Sequence, residues 1–151
     1  MVEIALAYDP TLHRCDMVFN GRDFALDATP ATAMLVSLGS DRRAHTDDDL
    51  PDSNADPANP ASLSLRRGWP GDALDSQARL AGSRLWLLSS AQATEATRAR
   101  AEQITAESLD WLSTQRGLSV AILVRWVRAG VLGIRVRAGA STIQLERSLA
   151  A

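Results

Sequence analysis

Lysine is absent: all sixteen basic residues of the 151 are arginine. Arginine makes bidentate contacts and is favoured in interfaces, although a GC-rich genome would give the same bias. Cysteine is nearly absent as well. Cys15 alone excludes an internal disulfide and a multi-cysteine zinc site, and it reads as a small, partly buried hydrophobe. No apolar run reaches the ~18 residues a membrane span needs. The first residues show no basic stretch followed by an apolar segment of the secretory kind, so a soluble chain made in a cytoplasm is expected. Ligand patterns are missing too. His13-Arg14-Cys15, and His45 beside Asp47, Asp48 and Asp49, follow no recognised metal spacing, and the acidic triplet lacks the Gly and closing Glu of a calcium loop. The triplet therefore reads as a solvated loop, with no metal and no cofactor expected. There is no serine nucleophile elbow and no phosphate-cradling glycine loop. Glu107 and Asp110 stand one helical turn apart, and two carboxyls on one helix face do not straddle a glycosidic bond. The chain is read as a non-enzyme with no catalytic residues.

What is present begins with charge. Residues 1–78 carry 6 Arg against 13 acids, and residues 79–151 carry 10 Arg against 5 acids. Such polarity suits a subunit that stacks between oppositely charged neighbours, while a mixed surface on a monomer is the commoner cause. The length fits one domain, 1–151.

Periodicity divides the chain into α+β elements. Val2, Ile4, Leu6 and Tyr8 alternate as a strand. Asn20-Gly21 between Met17-Val18-Phe19 and Phe24-Ala25-Leu26 predicts a hairpin closed by a type I′ turn. Thr29-Pro30 starts a helix whose face is Ala31, Met34, Leu35 and Leu38, running to about Arg43. Residues 44–65 are rich in Asp, Asn, Pro and Ser and predict a long exposed loop. Gly82-Ser83 leads into the apolar run Leu85-Trp86-Leu87-Leu88, a short helix packed on more than one side. Thr94 caps a longer helix carrying Ala101, Ile104, Ser108, Trp111 and Leu112, ended by Arg116 and Gly117. Leu118 to Trp126, Leu132 to Val136, and Ile143 with Leu145 then alternate as three strands joined at Ala129-Gly130 and Gly139 to Ser141. The fold class is α+β: an N-terminal strand and hairpin, two main helices plus a short one, and a C-terminal three-stranded antiparallel meander, with the helices on one face of the sheet.

The most distinctive text is Arg67-Gly68-Trp69-Pro70-Gly71-Asp72, a turn-rich loop carrying one large aromatic, followed by Gly82-Ser83-Arg84-Leu85-Trp86-Leu87-Leu88. Trp69 is buried or awaits a partner, and Arg84 needs an acidic or carbonyl partner, as a structural ion pair or a subunit contact. Together with Ser40-Asp41-Arg42-Arg43-Ala44 and Leu50-Pro51-Asp52, in this order, these pieces resemble the Mu-like phage baseplate protein family known as gene product 46. That family is related to the gene product 25-like sheath-initiator wedge proteins of contractile tails. The resemblance covers roughly residues 16 to 137, and Pro70 stands where the family more often carries a second aromatic.

The resemblance implies a gene product 25-like fold and a structural wedge subunit of the baseplate, initiating sheath assembly by strand addition to the first sheath ring. It implies other wedge proteins, the tail sheath protein and the hub or tube as partners, in several copies of a symmetric baseplate. The virion would be its location, after synthesis in the host bacterial cytoplasm, with no membrane and no nucleic acid bound. Trp69, Arg84, Arg135, Arg137, Ile143 and Leu145 are the residues expected at partner contacts. Two alternatives remain. One is a lysozyme-like muramidase using Glu107. The other is a small nucleic-acid-binding module using Arg125, Arg135 and Arg137, with Arg128 and Arg147 nearby, for which a solvated polar sheet face is the simpler account.

Overall fold

A computed structural model describes residues 2–51 and 63–149 of the chain. The N-terminal strand is broken into β1 (Glu3–Ile4) and β2 (Leu6–Asp9), followed by β3 (Arg14–Met17) and β4 (Leu26–Asp27). β1 pairs antiparallel with β4, and β2 with β3. The break falls at Ala5 because three chain segments meet there. The Ala5 amide donates to the Ala25 carbonyl at 2.8 Å, the Val18 amide to the Ala5 carbonyl at 2.9 Å, and the Ala25 amide to the Val18 carbonyl at 2.8 Å. The ring of bonds closes a three-armed β unit whose third arm is the Phe19–Phe24 hairpin. The type I′ turn expected at Asn20-Gly21 is not formed. Only Gly21 has positive φ, and the Asn20 carboxamide instead accepts from the Arg22 and Asp23 amides at 3.1 and 3.0 Å, stretching the turn over residues 20–23.

Helix α1 (Ala31–Gly39) buries Thr32, Met34, Leu35 and Leu38. Its N-terminus is served mainly by Asp27, which accepts from the Thr29 amide and hydroxyl and from the Thr32 amide and hydroxyl. Those bonds, the Thr29 hydroxyl first, outweigh desolvation and hold the Asp27 carboxyl down at about 2. The helix stops four residues short of Arg43. Ser40 turns extended, and Asp41 forms a parallel bridge with Ser83, so a nonlocal pairing takes the residues that local propensity assigned to helix.

Two 3-10 turns follow the short helix α2 (Leu63–Arg66): Pro70–Leu74, and Arg84–Leu88, whose four apolar residues are all buried. The Ser83 hydroxyl accepts from the Leu85 amide at 3.2 Å, as its N-cap position predicts. Thr94 caps α3 (Glu95–Ser108) through the Thr97 amide. The expected single long helix is interrupted at Leu109, and α4 (Asp110–Thr114) restarts from it. The offset brings Leu109 and Leu112 together in the core, both at most 1% exposed.

The C-terminal meander is β5 (Val120–Arg128), β6 (Val131–Ala138) and β7 (Ser141–Ser148), in the order β5-β6-β7. Its inner face supplies Val124, Leu132, Ile134, Val136, Ile143 and Leu145 to one core shared with Met34, Leu35, Leu38, Leu85, Leu88 and Ile104. The outer face carries Leu123, Arg125, Arg135, Arg137 and Gln144 in the open. Among the described residues no helix is long and apolar enough to cross a membrane.

The stretch expected as an exposed loop over 44–65 differs in its described parts. Ala44 is buried, and Asp48, in the acidic triplet, has a side chain only 8% exposed. Residues 52–62 lie outside the described residues.

Candidate functional site

The sequence pieces that mark this chain, far apart in the text, are adjacent in space. The Ser83 amide donates to the Ser40 carbonyl at 2.8 Å and the Arg42 amide to the Ser83 carbonyl at 3.0 Å, while the Ala44 amide reaches the Arg66 carbonyl at 2.9 Å. Two glycines permit the contact. A Cβ at Gly82, whose φ is +89°, would lie 2.6 Å from the Ser40 carbonyl oxygen, and one at Gly68 would lie 2.7 Å from the Arg43 Cβ. Trp86 is enclosed between these segments: its indole N–H donates to the Arg42 carbonyl at 2.8 Å, and the Arg67 guanidinium stacks 4.6 Å from its ring centre. Arg67 also bonds Asp41 at 2.7 Å, and Arg66 donates to the His45 carbonyl.

Beneath this packing runs a chain of charges. Arg84 bonds both Asp48 oxygens, at 2.8 and 3.0 Å, and Glu107 at 2.6 Å. Glu107 receives Arg42 at 2.9 Å on its other oxygen, and Asp48 faces Arg100 at 3.6 Å. Burial raises the Glu107 and Asp48 carboxyls, but the arginines more than offset it, so both sit below their ordinary values and stay ionised. The same pairs raise Arg84 against its own desolvation. A general acid for glycoside hydrolysis needs a raised carboxyl, so Glu107 does not fit that role. The middle of the Asp47–Asp49 triplet is an internal counter-ion and not a solvated loop residue.

The residues expected at partner contacts separate into two groups. Arg84, only 16% exposed, turns inward because two carboxylates claim its guanidinium. Ile143 and Leu145 also turn inward, since their alternation places them on the core face of β7. Their side chains are therefore unavailable to a partner. Trp69 is 62% exposed, its ring lying over Gly71, in a surface groove with Val36, Arg79, Leu80 and Trp111. Arg135 and Arg137 are exposed on the outer sheet face, where Arg135 bonds the Gln144 carboxamide at 3.0 Å. The structure brings Arg135 and Arg137 together and leaves Trp69 apart from them.

Two features escaped the residue pattern. One is the plugged edge of β7. The Tyr8 hydroxyl accepts from the Glu146 amide and donates to the Glu146 carbonyl, each at 3.1 Å. No local signal links positions 138 residues apart. The other is the bare side of the N-terminal unit, where Ile4, Met17, Phe19, Phe24 and Leu26 are exposed. Alternation puts Ile4 on the side of Leu6 and Tyr8, which packs on the core, but does not say where along the strand that packing ends.

Comparison with known proteins follows the same residues. The family model described as phage protein GP46 matches residues 30–143. Baseplate protein gp46 of Escherichia phage Mu is 40% identical over 125 residues, covering 83% of this chain and 77% of that protein. No solved structure matches the chain.

Proposed function

The chain belongs to the phage protein GP46 family, and from that membership we propose that it is a structural subunit of a phage tail baseplate and a component of the virion. Its place there is that of a wedge subunit which joins the baseplate to the first ring of tail sheath and starts sheath assembly by strand addition.

The observation that carries this placement is the edge of β7. The Leu149 amide bonds the Gly130 carbonyl at 2.8 Å, so the odd-numbered residues of β7 pair with β6 and the even-numbered ones turn their backbone groups outward. At Glu146 those groups are taken by Tyr8. At Thr142 and Gln144 they bond nothing among the described residues. The opposite edge, on β5, has α3 packed beside it and Arg98 over the Val124 carbonyl. An unpaired edge normally needs protection, and a strand from a neighbour provides it. Ile143 and Leu145 serve this contact by fixing β7 to the core, not by touching the sheath. Trp69 in its groove, with Arg135 and Arg137 on the sheet, faces the other wedge subunits and the hub or tube.

Gln144→Pro tests the placement. Proline is tolerated on an edge strand where its missing N–H faces outward, so the fold survives while an added strand loses a bond and meets the ring. Particles carrying Gln144→Pro are expected to show complete baseplates without sheath. Normally sheathed, contractile tails from this variant refute strand addition at β7.

A further inference from the structure

Arg147 stands on the inner face of β7, away from Arg125, Arg135 and Arg137. Its cross-strand partner is the buried Leu132, and cross-strand partners share a side of a sheet, so its stem continues the row of Ile143 and Leu145. It is half-buried at the end of that row, and its guanidinium makes no hydrogen bond and no ion pair among the described residues. Arg84, in contrast, is claimed by Asp48 and Glu107. The acids beside Arg147 are already taken. Asp41 bonds Arg67 at 2.7 Å, and Glu146, which as the partner of Gly133 points to the other side of the sheet, bonds Arg128 at 3.1 Å. Burial pushes the Arg147 guanidinium below its ordinary value against the pull of Asp41, yet an arginine stays charged at neutral pH. A cation with five donors, drawn from water without an acceptor, is a cost to the fold.

Arg147 lines a cavity of about 390 Å³ between the last turn of α1, the β2–β3 ribbon and β7. Leu38, Leu85 and Leu145 give it apolar lining, and Tyr8, His13 and Arg14 come to it from the ribbon. The turn that presents them is fixed. Asp9 accepts from the Thr11 and Leu12 amides at 2.7 and 3.1 Å, His13 takes a left-handed φ of +50°, and its ring nitrogen stands 3.1 Å from the Tyr8 hydroxyl. Arg14 is held only loosely, by an exposed Asp16 at 3.4 Å. The volume lies near the low end of the roughly 300–1,000 Å³ of ligand pockets, which suits one side chain or one chain end. A single uncompensated guanidinium over apolar lining suits a planar monoanion. A carboxylate matches its fork with two parallel bonds, whereas phosphate brings a second charge while Arg14 is already shared with Asp16.

We infer that Arg147 receives in this cavity the carboxylate of a neighbouring chain, carried on an acidic side chain or at a chain end. The guanidinium donates two parallel N–H bonds to it, and Arg14 adds positive charge from the ribbon. The incoming acid neutralises a cation that the fold leaves without a partner, so the contact is selective for a neighbour that brings the acid in register. The site stands independently of strand addition at the β7 edge.

NMR titration of the isotope-labelled full chain tests this with two small probes: N-acetylglutamate α-methylamide, which offers a side-chain carboxylate, and N-acetylalanine, which offers a chain end. At least one should shift the Tyr8, His13 and Arg147 signals saturably, and the tighter of the two names the source. Inorganic phosphate should bind more weakly than that probe. Arg147→Met keeps the stem and removes the charge-assisted pair, so it should weaken the probe at least about tenfold. It should also unfold at or above the parent's temperature, because it removes an unpaired charge. Arg22→Met, on the exposed N-terminal hairpin, should bind the probe as the parent does. No saturable shift with either probe, tighter binding of phosphate, or unchanged binding by Arg147→Met overturns the inference. An Arg147→Met chain that unfolds well below the parent makes Arg147 a structural ion and overturns it as well. The titration uses the chain alone, with no sheath present, so its failure is distinct from failure of strand addition.

Discussion

Arg84→Ala separates a fold-internal arginine from a contact arginine. The substitution leaves Asp48, 8% exposed, with Arg100 at 3.6 Å and the His45 amide at 2.8 Å, and leaves Glu107 with Arg42 alone. Removing one partner of a fully buried pair costs about 3–5 kcal/mol. The Glu107 side chain is 33% exposed and both carboxylates keep a second partner, so the expected loss is smaller, about 2–3 kcal/mol. For a chain of this size that lowers the unfolding temperature by about 5–10 °C. Arg84→Lys keeps the charge without the fork that spans two carboxylates, and should lose about half as much. Urea and thermal unfolding of the purified chain measure both. Acid gives a second reading. The Asp48 and Glu107 carboxyls lie below their ordinary 3.8 and 4.5, so their contribution is complete above those values and disappears as pH falls through the depressed ones. The gap between parent and Arg84→Ala should therefore narrow below about pH 4. A loss under about 0.5 kcal/mol, or a gap indifferent to pH, refutes the internal role and returns Arg84 to the surface.

The glycines give a paired test. Gly82→Ala meets both an unfavourable φ and the Ser40 carbonyl, whereas Gly21→Ala at φ +93° has nothing within 4 Å, so calorimetry should find a loss above about 2 kcal/mol for the first and about 1 kcal/mol for the second. Asp27→Ala removes the N-terminal bonds of α1 and should cost about 1 kcal/mol at neutral pH, measured by urea unfolding. Because the folded carboxyl titrates at about 2 and the ordinary value is 3.8, that contribution is present above 3.8 and fades as pH falls through 2. Asp27→Asn keeps one acceptor oxygen in place of two, so it should retain about half of that contribution at most and lose the acid dependence.

What the sequence made legible was local. Thr94 announces α3, and the alternation from Val120 to Leu145 gives the meander, because capping and strand periodicity are decided within a few residues. Where distant residues decide, the pattern misleads. Ser40 to Arg43 read as helix and are drawn out by Ser83, and Ser108, Trp111 and Leu112 keep helical spacing straight across the break at Leu109. Asp48 looks like a solvated member of an acidic run because its arginine lies 36 residues away. Alternation places Ile143 and Leu145 on a strand, as the structure does, yet alternation alone does not say which side of a sheet meets the core.

The Tyr8 hydroxyl stands in for a missing strand. A single oxygen occupies the two backbone positions of Glu146 that an eighth strand would fill. Replacing it would exchange two hydrogen bonds for two, nearly neutral in count, so the balance would rest on side chains and on how firmly the N-terminal unit is seated. The strand proposed to add at β7 would have to bring contacts of its own to displace the Tyr8 hydroxyl from Glu146.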